Sequence, residues 1–229
     1  MLPDILPGQF VTLHFDDTPH TFLRRPISVH DVDCTDNTLH LLVQVVGDGT
    51  RRMAALQSGE VVNVIFPLGN GFTTAFAPDR RVLLVGGGIG AAPLLYLART
   101  LHHAGIHPDI LIGARTASDF VPLDAYRRFG TVCQTTEDGS AGVRGYVTDH
   151  PWLHEVHYDF ICACGPKPMM VSVARYARRT GTECEVSLEN SMACGIGACL
   201  CCVEKTDKGH VCVCTEGPVF NINRLTWQI

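Results

Sequence analysis

The chain has 229 residues, 46% of them hydrophobic and 18% charged, enough apolar mass for two or three small cores. A formal net charge of −5 with no basic run argues against a nucleic-acid surface, and no apolar run reaches the length of a membrane span. Eleven cysteines, with neither a basic nor a long apolar leader at the N-terminus, point to a reducing, cytoplasmic setting in which thiols serve metals.

From residue 1 to about Pro78 the pattern is β. Residues 10–15, 26–30, 39–46 and 61–66 are short apolar and β-branched runs, separated by turn chemistry at 16–19, 33–37 and 47–49. Such spacing predicts a small antiparallel β-barrel or sandwich over residues 1–78. Within it, Arg25-Pro26-Ile27-Ser28 sets a cation and a hydroxyl on one rigid strand. Gly47-Asp48-Gly49-Thr50 offers backbone donors, with Arg51 and Arg52 beside it. A phosphate-bearing ligand could use these groups, and solvated arginines at a surface turn are the plain alternative.

Residues 75–80 read as a linker, after which the period changes. Residues 81–85 form a continuous apolar strand, Gly86-Gly87-Gly88-Ile89-Gly90 follows at once, and 91–104 is helical with Pro93 in its first turn. Strands at 109–112, 131–134 and 159–163, with helices at 123–129 and 167–179, continue the alternation. They predict a parallel α/β dinucleotide-binding domain over residues 79–183. Glycines at a strand–helix junction let the backbone approach a pyrophosphate, although they also permit close strand–helix packing. Cys164-Gly165-Pro166 belongs to the same C-terminal sheet edge, where an ordinary βα turn would also place a proline. Arg115 and Thr116 could hold a 2′-phosphate, which leaves NAD against NADP open. His103 and His107 have helical spacing, but Gly105 and Pro108 break it, and they read as surface residues.

A last strand, 183–188, leads into a cysteine-rich segment: seven of the eleven cysteines lie from Cys184 onward. Cys194, Cys199 and Cys202 form C-x4-C-x2-C, the plant-type spacing of thiolates around a [2Fe–2S] cluster. Gly195 and Gly197 allow the tight turn that wraps three ligands around it. A zinc ribbon prefers paired C-x2-C knuckles, and only Cys199 and Cys202 form one. Residues 184–229 are therefore expected to be a cluster-binding module. Cys201 in place of Cys202 would shorten the second gap. Cys212 and Cys214 stand two apart on an apparent strand and point the same way, so geometry leaves either as the fourth ligand.

Pro7-Gly8-Gln9-Phe10, Arg25–Ser28, Gly47–Thr50, the segment 67–72, Gly86–Gly90, Cys164–Pro166, the loop 192–199 and Glu216-Gly217-Pro218-Val219-Phe220 occur together and in order. This set closely resembles the electron-transfer subunits of dihydroorotate dehydrogenase B, a family of ferredoxin–NADP reductase-like flavoproteins. The cysteine loop and the Gly-Pro-Val-Phe ending are its most specific parts. The resemblance implies FAD in the β module, on Arg25, Pro26, Ile27, Ser28, Leu42, Val43, Gln44, Gly49 and Thr50. It implies NAD at Gly86, Gly87, Gly88, Ile89 and Gly90 and at Cys164, Gly165 and Pro166. It also implies a [2Fe–2S] cluster on Cys194, Cys199, Cys202 and Cys214. Val43 and Gln44 stand where relatives carry tyrosine and arginine, with Arg51 or Arg52 as substitutes for the missing contact.

The implied function is electron transfer in pyrimidine (UMP) biosynthesis. Electrons would pass from an FMN-containing dihydroorotate dehydrogenase catalytic subunit through the cluster and FAD to NAD, in a heterotetramer of two of each subunit. NAD exchanges two electrons as hydride and a [2Fe–2S] cluster carries one, so a flavin is the needed intermediary and no catalytic acid, base or nucleophile is expected. A chain of 229 residues has no room for a further β/α barrel of roughly 250 residues to oxidise dihydroorotate. The alternatives are a similar reductase subunit of a hydrogenase or sulfite reductase, and a non-enzymatic zinc-ribbon binding protein.

Overall fold

In the computed structural model, which describes residues 1–18 and 21–227, side-chain alternation along the first strand sets the N-terminal layer. On β1 (Phe10–His14), Val11 and Leu13 enter a core with Val29, Val32 and Met53, whereas Phe10 joins the core shared with the C-terminal segment. β2 (Arg25–Asp33) pairs antiparallel with β1 and with β3 (Thr38–Leu41). α1 (Asp48–Ala54) then crosses to β4 (Asn63–Leu68), which pairs with the free side of β1. The expected antiparallel module is thus a four-stranded sheet of order β3-β2-β1-β4. Pro19, in the expected first turn, lies outside the described residues.

Two local expectations in this module are corrected. The strand expected over 39–46 ends at Leu41, and residues 42–46 leave the ladder. Residues 47–49, expected as a turn, open α1 instead. The Thr50 hydroxyl accepts from the N–H groups of Val46 (2.9 Å) and Gly47 (3.0 Å) and donates to the Gly47 carbonyl, which closes the first helical turn.

The apolar run at 81–85 becomes β5 (Val82–Gly87), buried along its whole length. A 3-10 turn, Gly88–Ala91, leads to α2 (Leu94–His103), so the helix begins later than the sequence predicts, with Pro93 as its N-cap. There follow β6 (Asp109–Ala114), α3 (Asp124–Arg127), β7 (Thr131–Thr136), β8 (Val143–Arg144), α4 (Trp152–Glu155), β9 (Phe160–Cys164) and α5 (Lys167–Thr180). α5 ends at Gly181, whose φ of 71° suits glycine, and β10 (Glu183–Ser187) follows.

After a hairpin of β11 (Val203–Thr206) and β12 (Gly209–Cys212) and one turn of helix, α6 (Val213–Glu216), the chain returns as β13 (Val219–Asn221). The large sheet has order β13-β10-β9-β5-β6-β7-β8, parallel throughout except for β13. Alternate residues of β5 feed its two faces. Leu83 and Val85 pack with Val173, Ala174 and Ala177 of α5; Val82 and Leu84 pack with Leu94, Leu97 and Leu101 of α2. Truncating one of these leucines to alanine costs about 2–5 kcal/mol.

The two layers meet where α2 crosses β2. Arg99 pairs with Asp31 at 2.9 Å and donates to the Val32 carbonyl, His30 Nδ1 lies 2.7 Å from the Ala92 carbonyl, and the Tyr96 hydroxyl donates to the Ile5 carbonyl. The boundary expected between residues 183 and 184 falls inside β10, a full member of the large sheet.

Candidate functional site

β5 lies between β6 and β9, so the chain runs outward in opposite directions from the C-terminal ends of β5 and β9. That switch point is where open α/β sheets bind ligands. Two turns meet there, 86–91 after β5 and 164–166 after β9. A Cβ on Gly90 would stand 2.5 Å from the Gly165 Cα and 2.7 Å from the Cys164 carbonyl oxygen. One on Gly87 would strike Met169 and Pro166, and one on Gly86 the backbone of Ala91. Three of these glycines therefore serve close packing at the turns. Gly88 differs: its φ is +54° and nothing lies within 4 Å of where a Cβ would be, so its backbone is free to meet a ligand.

Beside this edge is a cavity of about 450 Å³ bounded by β2, residues 42–50, the 3-10 turn and residues 187–192. Of the expected flavin contacts, Arg25, Pro26, Ile27, Ser28, Leu42, Gln44 and Thr50 line it. Val43 turns into the core of the β sheet. Gly49 sits behind Arg25, where a Cβ would lie 2.7 Å from the arginine Nε. Of the expected substitutes for the missing contact, Arg51 pairs with Asp48, and Arg52 pairs with Asp17 (2.9 Å) and Glu60 (2.6 Å). With Phe10, Leu42, Ile89 and Met192 as apolar walls and the Arg25 guanidinium among the polar groups, the volume and lining fit a flavin with its phosphates.

Sequence reasoning missed the far wall. Ser187, Glu189 and Asn190 line the cavity from the end of β10. The Cys164 thiol donates to Glu189 Oε1 at 3.9 Å. Burial raises the Cys164 thiol well above its ordinary range. The signal available was positional: residues just past a strand on the ligand-binding edge. Arg115, a candidate for a 2′-phosphate, faces the Asp119 carboxylate at 3.7 Å, and the Thr116 hydroxyl bonds to Ser118 and Asp119.

The cysteine loop turns through positive φ at Gly195 (72°), Gly197 (82°) and Leu200 (55°). Its backbone N–H groups point at sulfur. Ile196 and Cys199 donate to Cys194 Sγ, both at 3.4 Å, Gly197 donates to Cys214 Sγ at 3.1 Å, and Cys214 donates to Cys202 Sγ at 3.4 Å. The Ile196 N–H, outweighing desolvation, lowers the Cys194 thiol to about 6, whereas burial pushes Cys214 up to about 12. Cys194 neighbours Cys199, and Cys202 neighbours both Cys214 and Cys212. Among the described residues no three ligating side chains converge as a single metal ion requires. The plant-type spacing of Cys194, Cys199 and Cys202 with a fourth thiol close by suits a [2Fe–2S] cluster.

The expectation that Cys212 and Cys214 share a strand is corrected. β12 ends at Cys212, and α6 carries Cys214 into the core beside Cys202, the two being 2% and 1% exposed. Cys212 also touches Cys202 but stays half-buried, and Cys201 is exposed.

A β module with a flavin-sized cavity, a switch-point crevice and a cysteine loop define an oxidoreductase of the ferredoxin reductase class carrying an iron–sulfur module. Comparison with known proteins gives the family. Residues 189–226 match the iron-sulfur cluster binding domain of dihydroorotate dehydrogenase B. The dihydroorotate dehydrogenase B (NAD(+)) electron transfer subunit of Clostridium acetobutylicum is 40% identical over 218 residues, 95% of this chain and 85% of that one. Its counterpart in Listeria monocytogenes is 39% identical over 227 residues, 97% and 88% of the two chains. The chain belongs to the dihydroorotate dehydrogenase B electron-transfer subunit family. Among solved structures, one of an NADH-dependent reduced ferredoxin-NADP oxidoreductase, from work on flavin-based electron bifurcation, is 31% identical. It covers 98% of this chain and 80% of that one, with a TM-score of 0.86. A ferredoxin reductase in carbazole 1,9a-dioxygenase shares the fold alone, at 21% identity and a TM-score of 0.61, over 78% and 58% of the two chains.

Proposed function

We propose that this chain is the electron-transfer subunit of an NAD-linked dihydroorotate dehydrogenase of pyrimidine biosynthesis, working beside an FMN-bearing catalytic subunit in a cytoplasmic heterotetramer of two of each. Residues 1–78 serve FAD, residues 79–187 serve NAD and residues 188–229 hold the cluster. The second boundary is moved from 183 because β10 belongs to the large sheet. When bound, FAD links the two-electron chemistry of NAD to the one-electron chemistry of a [2Fe–2S] cluster.

The chain's own residues bind and orient. Arg25 and Ser28 of β2 face the flavin, and Leu42 and Ile89 give it apolar wall. Gly88 receives the NAD pyrophosphate, with Gly165 and Pro166 as the opposite lip. Glu189 lines the cavity wall from the end of β10. Cys194, Cys199, Cys202 and Cys214 hold the cluster.

The observation that carries this reading is adjacency. Phe10 and Met192 line the flavin cavity and pack in the same core as Cys202 and Cys214. The Phe10 ring also lies 3.8 Å from where a Cβ on Gly195, next to Cys194, would stand. The test is a visible spectrum of the purified protein with iron, sulfide and FAD analysis, followed by mixing with an FMN-bearing dihydroorotate dehydrogenase. The reading requires two irons, two sulfides and one FAD per chain, and dihydroorotate-dependent reduction of NAD in the mixture. A colourless, zinc-containing protein would overturn the site. A coloured protein that transfers no electrons from dihydroorotate would overturn the partner.

A further inference from the structure

Thr12 lies in the middle of β1 and is 1% exposed, yet its hydroxyl has no hydrogen-bond partner. A buried hydroxyl left unpaired is unfavourable, and valine would fill the same space without that cost. Its position is particular. Thr12 stands opposite Pro26 of β2, one of the residues lining the flavin cavity, and opposite Ile65 of β4. By strand alternation it shares a face with Phe10, another cavity wall. The cysteine loop rests on this face: a Cβ on Gly195 would lie 2.9 Å from Thr12 Cγ2 and 3.5 Å from Leu68 Cδ1. Gly195 directly follows Cys194 and has φ +72°, so both its conformation and its seat on Thr12 demand glycine. The unpaired hydroxyl shares its Cβ with the methyl nearest the loop, and one staggered step of χ1 carries the hydroxyl to the methyl's place and the methyl to the hydrogen's.

We propose that Thr12 donates a hydrogen bond to sulfur on the Cys194 side of the bound cluster and thereby raises its reduction potential. The proposal rests on the reading that Cys194, Cys199, Cys202 and Cys214 hold a [2Fe–2S] cluster. A bound [2Fe–2S] cluster would take up one electron and no proton, formally at iron, and its sulfur atoms would share the added negative charge. A donor aimed at that sulfur stabilises the reduced form more than the oxidised one, while the hydroxyl keeps its proton. Thr12 is a positioning residue between flavin and cluster; it takes no part in bond making.

The experiment is a mediated dithionite titration of the holoprotein. The reduced cluster is followed by electron paramagnetic resonance and FAD by absorbance in the same run. Thr12→Val removes the hydroxyl at constant volume, Thr12→Ala removes it without crowding the loop, and Thr12→Ser retains it. In Thr12→Val and Thr12→Ala the reduced-to-oxidised ratio of the cluster at a fixed potential should fall about tenfold, equivalent to about 59 mV for one electron. Thr12→Ser should restore the original ratio, and FAD should titrate unchanged in all three. Valine and alanine variants with full iron and an unshifted cluster would overturn the proposal, as would a shift of FAD and cluster together. Absence of iron and sulfide from the unaltered protein would instead sink the cluster reading itself.

Discussion

At the scale of single residues, burial and the direction of a backbone N–H separate Cys214 from Cys212. Cys214 is buried and accepts from Gly197; Cys212, two residues earlier, ends a strand and is half-buried. Cys212→Ala and Cys201→Ala should therefore keep full iron and the visible spectrum, whereas Cys214→Ala and Cys202→Ala should lose both, as iron analysis of the purified variants would reveal. An iron-free Cys212→Ala beside an intact Cys214→Ala would reverse the assignment. The thiols inside the large sheet behave differently. Cys162, Cys164 and Cys184 are at most 1% exposed, and burial raises each well above the ordinary thiol range. A raised thiol stays protonated and unreactive until the pH climbs past its folded value. Iodoacetamide at about pH 8, near the ordinary thiol range, should accordingly modify exposed Cys34 and spare these three, read by peptide mass spectrometry. Modification of Cys164 in the native protein would show that the β9 turn opens in solution.

At the scale of elements, the switch-point turns separate two uses of glycine that look alike in sequence. Gly90→Ala would push a methyl into the backbone of residues 164 and 165 and should destabilise the fold by about 1–3 kcal/mol in urea unfolding. Gly88→Leu meets no neighbour at its Cβ and costs only the positive φ, about 1–2 kcal/mol. It should leave FAD bound and dithionite reduction normal while slowing flavin reduction by NADH; an unchanged NADH rate would remove Gly88 from the site. What the sequence made legible follows the same division. The apolar run of β5, the thiol spacing and the Arg25–Ser28 strand could be read directly, because periodicity and ligand spacing are local properties. The helix opened at residues 47–49 was hidden because Gly-Asp-Gly is also turn chemistry, and only the reach of the Thr50 hydroxyl tells them apart. Glu189 was hidden because its role arises from Cys164, twenty-five positions away, and from the cavity edge beside them.

At the scale of the whole molecule, function depends on holding three sites in fixed relation. One clamp is the crossing of α2 over β2, where Arg99 reaches Asp31 and the Val32 carbonyl. Arg99→Ala should cost about 1–3 kcal/mol of stability. By freeing the glycine turn from the flavin strand, it should also slow hydride exchange more than it weakens FAD binding, as stopped-flow reduction and flavin retention together would tell. Modularity gives the final prediction. On the proposed reading FAD and NAD lie against β2, the 42–50 segment, residues 187–192 and the switch-point turns, none of which contains a cluster ligand. Cys194 lies on a loop resting against Thr12, Leu68 and Phe10 from outside the β sheet. Cys194→Ser should therefore lose the cluster and keep FAD, with NADH still bleaching the flavin at close to the original rate. Mixed with the catalytic subunit, the same variant should lose dihydroorotate-dependent NAD reduction to background, since two-electron carriers on either side are then left without the one-electron link. The split between these two rates is the decisive quantity, measured on one preparation with its iron and flavin contents. Loss of flavin together with iron would show the modules to be interdependent, and retained transfer from dihydroorotate without iron would remove the cluster from the route.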